Sequence, residues 1–146
     1  MKPTSRFTYA LKALVDLAVR HGTGPVTVAA IAKRQGIPVH SLEQLFNRLR
    51  RKGLVEAERG PRGGYRLVSH PDEIQVRTVF EVLEGGKPVS RRANAAPSAS
   101  DPARTVWQQV ERAVQTTLEA TTLGALAAQA REGAGGPFTH RYTFHI

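Results

Sequence analysis

The 146-residue sequence contains no cysteine, one methionine and one tryptophan. Without cysteine, disulfide bonds, thiol catalysis and thiolate metal sites are excluded. No signal-peptide pattern opens the chain, and no apolar run approaches the length of a membrane-spanning helix. We therefore predict no membrane-spanning segment, and the cytoplasm is the simplest compartment.

Acidic residues are scarce only in the first half of the chain. Residues 1–70 contain 13 Lys and Arg against 4 Asp and Glu, a net charge of +9, whereas residues 71–146 contain 8 of each kind. A charge that serves solubility alone usually spreads over both halves. An excess confined to one half predicts an anionic partner for that half, nucleic acid first and an anionic membrane surface second.

Three successive segments show the apolar spacing of helices, and each is bounded by capping residues. They are "TSRFTYALKALVDLAVRHG", "VTVAAIAKRQG" and "IPVHSLEQLFNRLRRKG". The predicted boundary residues are Thr4 or Ser5 and Gly22 for the first helix, Thr27 and Gly36 for the second, and Gly53 for the third. In the third helix the predicted apolar stripe is Val39, Leu42, Phe46 and Leu49. The short glycine-containing turn between the second and third helices is typical of a helix-turn-helix.

A β-hairpin is predicted after the third helix. "LVEAER" and "YRLVS" alternate as short strands do, and they flank the stretch "RGPRGG". Gly60, Gly63 and Gly64 permit a tight turn, and Pro61 stiffens it. A nucleotide phosphate loop is disfavoured, because the turn joins strand to strand and lacks a Gly-Lys-Ser/Thr ending. Three helices followed by a hairpin indicate a winged helix-turn-helix.

The rest of the chain predicts a fourth helix, a linker and a long helix. "VRTVFEVLEG" is the fourth helix, and residues 87–103 are rich in Ala, Pro and Ser and predict a flexible loop. The long helix has a narrow apolar stripe that suits pairing with its own copy, although packing on the first helix of the same chain is the alternative. The stripe consists of Val106, Trp107, Val110, Val114 and Leu118. Alternating aromatic residues in 138–146 suggest a terminal strand.

The predicted fold class is mainly α with a small β-wing. It combines a winged helix-turn-helix DNA-binding domain at 1–86, the loop at 87–103, and a dimerisation helix with a C-terminal tail at 104–146.

Double-stranded DNA is the predicted partner, read by the third helix and by the tip of the wing. In helix-turn-helix proteins the N-terminal part of the recognition helix meets base edges in the major groove. Gln44 suits adenine, and Glu43 suits a cytosine amino group. Arginines later in the helix suit phosphates, although cations at a helix C-terminus also favour the macrodipole. The predicted DNA-binding residues are His40, Ser41, Glu43, Gln44, Arg48 and Arg51 of the helix, and Arg59, Gly60, Pro61 and Arg62 of the wing, which suits a narrow minor groove.

These segments resemble the Rrf-two family of bacterial transcription regulators. The resemblance runs from about Tyr9 to Gly86, resumes weakly at "TLGALAAQA", and is most specific in "SLEQLFNRLRRKGLV…RGPRGGYRL". It implies a homodimeric winged-helix repressor or activator that binds a palindromic operator. In such a dimer the long C-terminal helices of the two chains cross. It also implies that Ser41, Glu43 and Gln44 read bases and that the segment from Arg59 to Pro61 forms the minor-groove wing.

Two departures from the family pattern stand out. Many members have a basic residue where this chain has Thr8. The sensing members hold an iron–sulfur cluster on cysteines before the long helix, where this chain has none, and Ala93 and Ala99 fall roughly at those places. The ligands of a cluster are mainly or entirely thiolates, so we predict no cluster in this chain. The missing cysteines fit both a naturally cluster-free member and a cysteine-to-alanine variant.

No catalytic or metal site is predicted. His140 and His145 lack a nearby carboxylate pair, Asp72-Glu73 beside His70 suits a helix start, and no nucleophile–base constellation emerges. A protein-interaction scaffold that does not bind DNA is the alternative function, although a scaffold needs neither the charge of residues 1–70 nor Gln44 and Arg59 at reading positions. Whether a small molecule or a protein controls the chain is left open.

Overall fold

The computed structural model describes residues 4–85 and 101–135. The described residues form helices and one hairpin, with a short 3-10 helix at Pro71–Glu73 before the fourth helix. In chain order the elements are α1 (Ser5–Val19), α2 (Val28–Gln35), α3 (Val39–Arg51), β1 (Val55–Glu58), β2 (Gly64–Leu67), α4 (Val76–Glu84), α5 (Pro102–Ala120) and α6 (Leu123–Gly135). The predicted loop 87–103 lies almost wholly outside the described residues, as do the alanines at 93 and 99 and the predicted strand at 138–146.

The helix starts follow the predicted capping residues. The Thr4 hydroxyl accepts a hydrogen bond from the backbone N–H of Phe7, and the Thr27 hydroxyl accepts one from Ala30. Gly36 ends α2 in the left-handed conformation, at φ 65°. These three predictions are confirmed, whereas α1 ends at Val19, three residues before the predicted Gly22.

The core lies between the helix-turn-helix and the helices that follow it. Leu42, Phe46 and Leu49 of α3 are fully buried, as the stripe predicted. The prediction for Val39 is wrong, because this side chain is 43% exposed. Val39 is the first residue of α3, so it lies at the edge of the core, one turn before Leu42. Leu45, which the stripe omitted, is buried and widens the packed face.

A buried carboxylate ties α1 to α2. Asp16 is 2% exposed, and both of its oxygens accept hydrogen bonds from Arg34, at 3.0 Å from Nε and 2.7 Å from Nη2. Gln35 donates from Nε2 at 3.0 Å, and Arg20 forms an ion pair at 3.4 Å. Burial alone raises the pKa of Asp16, but the bonds from Arg34 and Gln35 and the two guanidinium charges together lower it below 3.8.

The wing is a two-stranded antiparallel sheet in which Val55 pairs with Leu67 and Glu58 with Gly64. Its second strand is joined to the start of α2, since Val26 and Tyr65 exchange backbone hydrogen bonds of 2.9 and 2.8 Å. Gly64 makes this approach possible, because a Cβ there would lie 2.4 Å from the carbonyl oxygen of Val26. The Tyr65 ring stacks on Phe46 of α3 at 4.6 Å, so the wing and α3 share one packed joint.

The C-terminal part forms two helices with different roles in packing. α5 contacts α4, where Arg77 forms an ion pair with Glu119, and it contains no buried residue. The chain then turns at Thr122, whose backbone forms an isolated antiparallel β-bridge with that of Gln75.

α6 returns onto α1, so the C-terminal part helps to close the core of the first half. Leu123 and Ala127 are buried there, and Arg131 donates to the carbonyl oxygen of Val19 at 2.9 Å. Within residues 4–85 and 101–135, no helix has the length and hydropathy of a membrane span.

Candidate nucleic-acid interface

The first two turns of α3 present polar side chains to solvent. His40, Glu43 and Gln44 are exposed, and Ser41 is half-buried. Gln44 contacts His40 one turn earlier, with 3.1 Å between the Gln44 amide nitrogen and the His40 Nε2 atom. Glu43 has no ion-pair partner among the described residues. This part of the helix therefore offers an amide, a carboxylate and an imidazole on one exposed surface.

The two arginines predicted for phosphates differ in their surroundings. Arg51 is exposed in the last turn of α3, where a positive charge also suits the helix C-terminus. Arg48 is exposed too, but its Nη1 donates to the carbonyl oxygen of Leu83 at 3.3 Å. Arg48 therefore links α3 to the end of α4 through one of its five N–H donors.

A cleft of about 650 Å³ lies between the start of α1 and the exposed side of α3. Tyr9 and Arg6 line it from α1, and Asn47 faces them from α3. Its lining consists of Ser5, Arg6 and Tyr9 from α1 and of Ser41, Gln44, Leu45, Asn47, Arg48 and Arg51 from α3. Arg6 and Tyr9 were not predicted as site residues, although the family resemblance implied a DNA-backbone contact near this helix, at the position of Thr8.

The tip of the wing is fully solvent-facing. Arg59, Gly60, Pro61 and Arg62 are all exposed, and the backbone N–H of Gly63 donates to the carbonyl of Gly60 at 2.9 Å. Gly60 has a φ of 114°, which favours glycine. The turn therefore carries both guanidinium groups on a short, hydrogen-bonded loop.

The acidic residues of the first half are mostly neutralised within the fold. Arg66 forms ion pairs with Glu56 at 2.6 Å and with Glu58 at 3.1 Å on the wing, and Asp16 is held by Arg34 and Arg20. Among the described residues up to position 70, nine cations have no ion-pair partner. They are Arg6, Lys12, Lys33, Arg48, Arg50, Arg51, Lys52, Arg59 and Arg62.

The stripe predicted for dimerisation lies on α5 and is open to solvent at its N-terminal end. Val106 is 57% exposed and Trp107 is 42% exposed. Val110, Val114 and Leu118 are half-buried, and Leu118 packs against the edge of the core. Among the described residues, α5 therefore carries the only tryptophan of the chain on an uncovered apolar face.

The described residues contain no group of three His, Asp or Glu side chains able to hold a metal ion. His70 instead caps the 3-10 helix, since its Nδ1 accepts from the backbone N–H of Asp72 at 3.1 Å. Two of the histidines weighed as ligands, at 140 and 145, lie outside the described residues.

The helix-turn-helix, the exposed polar face of α3 and the arginine-tipped hairpin together define a winged helix-turn-helix protein. Residues 3–129 match the Rrf2 (Rrf-two) family, described as iron-dependent transcriptional regulators. The chain belongs to this family, and the predicted resemblance is confirmed.

Relatives and solved structures agree with this assignment. The regulator IscR of Aliivibrio salmonicida is 37% identical over 86% of this chain and 77% of its own. The structure of CymR, the global cysteine regulator of Bacillus subtilis, matches with a TM-score of 0.79 and 36% identity over 88% of this chain and 98% of that one. The T. potens IscR structure matches with a TM-score of 0.81 and 32% identity over 97% of both chains. These relatives are transcription regulators and not enzymes, and this chain is a DNA-binding transcription regulator.

The iron named in the family description does not fit this chain. Iron–sulfur clusters are held by cysteine thiolates, with histidine as the partial substitute. The sequence has no cysteine, and the described residues offer no cluster of other ligands.

Proposed function

We propose that this protein acts as a homodimeric repressor that binds a palindromic operator. In this proposal α3 of each protomer lies in the major groove, and the wing enters the adjacent minor groove. The observation that carries the proposal is the charge pattern of the first half. Its acidic residues on the wing and between α1 and α2 form ion pairs within the chain. Nine described cations have no ion-pair partner among the described residues and are available to bind an anionic molecule. A polyanionic duplex matches that pattern.

Base reading is assigned to the start of α3. Gln44 donates and accepts on adenine, Glu43 accepts from the cytosine amino group, and Ser41 serves either base. Glu43 is exposed and unpaired among the described residues, so near phosphates it weakens binding to every DNA. A carboxylate in this position contributes to selectivity rather than to affinity.

Phosphate contacts are assigned to the cleft between α1 and α3. Arg6 lines it from α1 and Arg51 from α3, and Tyr9 adds to the α1 wall. Each phosphate neutralised by such a group releases counterions and steepens the dependence of affinity on salt. On the wing, Arg59 and Arg62 suit the negative potential of a narrow minor groove, and Gly60 and Pro61 give the tip its tight shape.

The exposed face of α5 supports the homodimer. Trp107 is 42% and Val106 57% exposed, so part of the roughly 150–250 Å² that a tryptophan can bury is still open in one chain, beside an open valine. A second copy covers this surface symmetrically when two α5 helices cross. Two α3 helices in such a dimer read half-sites about 34–36 Å apart, one turn of the duplex.

Repression makes the smallest demand on this architecture, because DNA binding alone is enough for it. A dimer bound to an operator that overlaps a promoter blocks access to that promoter by occupancy alone.

The proposed organisation is a DNA-binding unit at 1–86, a linker at 87–103 and a dimerisation unit at 104–146, and the proposed location is the cytoplasm. The packing of α6 on α1 then docks the two units on each other.

The test is binding to the DNA upstream of its own gene at several salt concentrations. We expect retardation with a steep salt slope in the wild type. Arg59→Ala should weaken binding strongly, lower the salt slope by about 1 and leave the unfolding midpoint unchanged. The matched control is Arg112→Ala, which removes an exposed arginine from α5 and should leave affinity unchanged.

Absence of any sequence-specific retardation in the wild type contradicts the proposed function. Equal affinity for the wild type and Arg59→Ala removes the wing from the mechanism. In a promoter–reporter strain, deletion of the gene should raise expression, and a fall in expression contradicts the assignment as a repressor.

A further inference from the structure

The contact between His40 and Gln44 carries information about how the recognition helix reads bases. Both side chains are exposed, and they lie one turn apart on α3, where residues four apart are neighbours. The amide nitrogen of Gln44 is 3.1 Å from Nε2 of His40. Gln44 therefore has a polar partner on its own helix before any DNA arrives.

The orientation of the Gln44 amide in this contact determines which of the two atoms donates. An amide nitrogen carries only hydrogens, so it donates, and His40 Nε2 must accept with a free lone pair. In a neutral imidazole one nitrogen accepts and the other carries the proton, so the proton of His40 is then on Nδ1. In an imidazolium both nitrogens donate, and the contact with the Gln44 amide nitrogen becomes repulsive.

Protonation of His40 therefore changes what Gln44 presents to DNA. When Nε2 of His40 gains a proton, the Gln44 amide must either rotate by half a turn, so that its oxygen accepts from the ring, or leave the contact. A glutamine reads adenine with its nitrogen donating to N7 and its oxygen accepting from the N6 amino group. Rotation exchanges the positions of the donor and the acceptor along the groove.

We propose that His40 is a positioning residue that sets the orientation of the Gln44 amide, so that base preference at the position read by Gln44 depends on pH. This inference rests on the proposed operator binding and adds a specificity-determining role to it. Imidazole is the side-chain group that gains a proton most readily near neutral pH, so pH is the variable to change.

The groups around the pair allow the effect to be isolated. Gln44 lines the cleft with Arg6 and Tyr9 of α1 and with Arg48 and Arg51 of α3, and Glu43 is the charged residue next to Gln44 along α3. Arginine side chains as a class stay charged in proteins, so the imidazole is the group in this set whose charge a change of pH addresses.

The two other described histidines lie elsewhere in the fold. His21 and His70 contact each other, with their ring centroids 5.1 Å apart, at the end of α1 and before the 3-10 helix. A substitution at His21 is therefore a matched control for loss of an imidazole away from α3.

A general effect of charge must be separated from the specific one. An imidazolium on α3 adds a positive charge, which strengthens binding to every DNA sequence alike. A change in amide orientation alters the ratio of affinities between operators that differ at one base pair. The ratio at constant salt is therefore the quantity to measure.

The experiment compares the operator with variants substituted singly at each half-site position, at pH 5.5 and 7.5. A good bidentate contact discriminates by roughly 5- to 150-fold, and we expect discrimination at one position to change about tenfold between the two pH values. His40→Asn, which keeps a polar side chain but does not titrate, should show the same discrimination at both. Gln44→Ala should lose discrimination at that position, and His21→Asn should respond like the wild type.

A second readout does not need DNA. Nitrogen-15 NMR of the free protein should show neutral His40 with its proton on Nδ1. A neutral ring protonated on Nε2 overturns the inference, as does a tenfold change that persists in His40→Asn or a pH effect that is uniform over all positions. In each of these cases specific retardation is still present, whereas its absence at every pH contradicts the proposed function instead.

Discussion

The buried carboxylate between α1 and α2 gives the sharpest prediction about stability. We consider Asp16→Asn, which keeps the shape of the side chain and removes its charge. Asp16 accepts two hydrogen bonds from Arg34 and one from Gln35. In the variant an amide NH₂ group faces at least one of these donors, and the guanidinium groups lose their counterion.

The magnitude follows from the exposure of the partners. Removal of one partner of a buried ion pair costs about 3–5 kcal/mol, and a hydrogen bond to a charged group contributes about 1.5–3 kcal/mol. The side chain of Asp16 is 1% exposed, but those of Arg34 and Arg20 are 35% and 36% exposed. Because the arginines can turn toward water, the upper value does not apply, and we expect a loss of about 2–3 kcal/mol.

The contacts of Asp16 also predict how this loss of unfolding free energy depends on pH. The pKa of Asp16 is lowered in the folded state, so the unfolded chain binds the proton more tightly than the folded one. The stabilisation from Asp16 is then complete above the unfolded value of 3.8 and is lost as pH falls through the lowered folded pKa. The difference in unfolding free energy between wild type and Asp16→Asn should be constant from pH 8 to 5 and shrink only below about pH 4.

Urea unfolding followed by circular dichroism, at a fixed protein concentration, measures this difference. With slopes of about 1–3 kcal/mol per molar urea, the midpoint should fall by roughly 0.7–3 M. Glu132→Gln makes the same chemical change at an exposed position of α6 and should stay within about 0.5 kcal/mol of the wild type. A loss below 0.5 kcal/mol for Asp16→Asn, or a difference that stays the same down to pH 3, refutes the reasoning.

Three further predictions concern the wing, the dimer and base reading. Gly64→Ala should lower the free energy of unfolding by at least about 2 kcal/mol and weaken operator binding, because the new Cβ would lie 2.4 Å from the Val26 carbonyl oxygen. Gly53→Ala, whose new Cβ would have nothing within 4 Å, should lower it by about 1 kcal/mol, and thermal unfolding measures both. Light scattering should give about twice the 15.9 kDa chain mass for the wild type and the single-chain mass for Trp107→Glu, and a wild-type monomer at micromolar concentration contradicts the dimer. Glu43→Ala should relax base preference at one operator position, and an equal change in affinity for all sequences counts against its reading role.

The boundaries of the elements in the first half were largely available from the sequence. Thr27 and Gly36 act on their own neighbours, and a cap or a left-handed turn depends on residues three or four positions away. The stripe through Leu42, Phe46 and Leu49 follows from helical periodicity for the same reason. Val39 was misassigned because periodicity shows which face is apolar but not where the packed neighbours end.

The candidate interface was only partly predictable. Exposed polar residues of α3 and of the wing tip could be placed by analogy with known docking geometry. The α1 wall of the cleft, with Arg6 and Tyr9, depends on how α1 packs across α3. The hydrogen bond from Arg48 to Leu83 joins residues 35 positions apart, and no local pattern reports it.

What the sequence by itself determined is the order of the helices, the hairpin, the one-sided charge and the absence of thiolate ligands, because each depends on composition or on near neighbours. Only the tertiary structure decided that Arg34 and Arg66 neutralise acids while Arg59 and Arg62 do not, that α6 folds back on α1, and that Tyr65 joins the wing to α3. These contacts join residues far apart in the chain. They are set by the angles at which helices and strands pack, which no short stretch of sequence encodes.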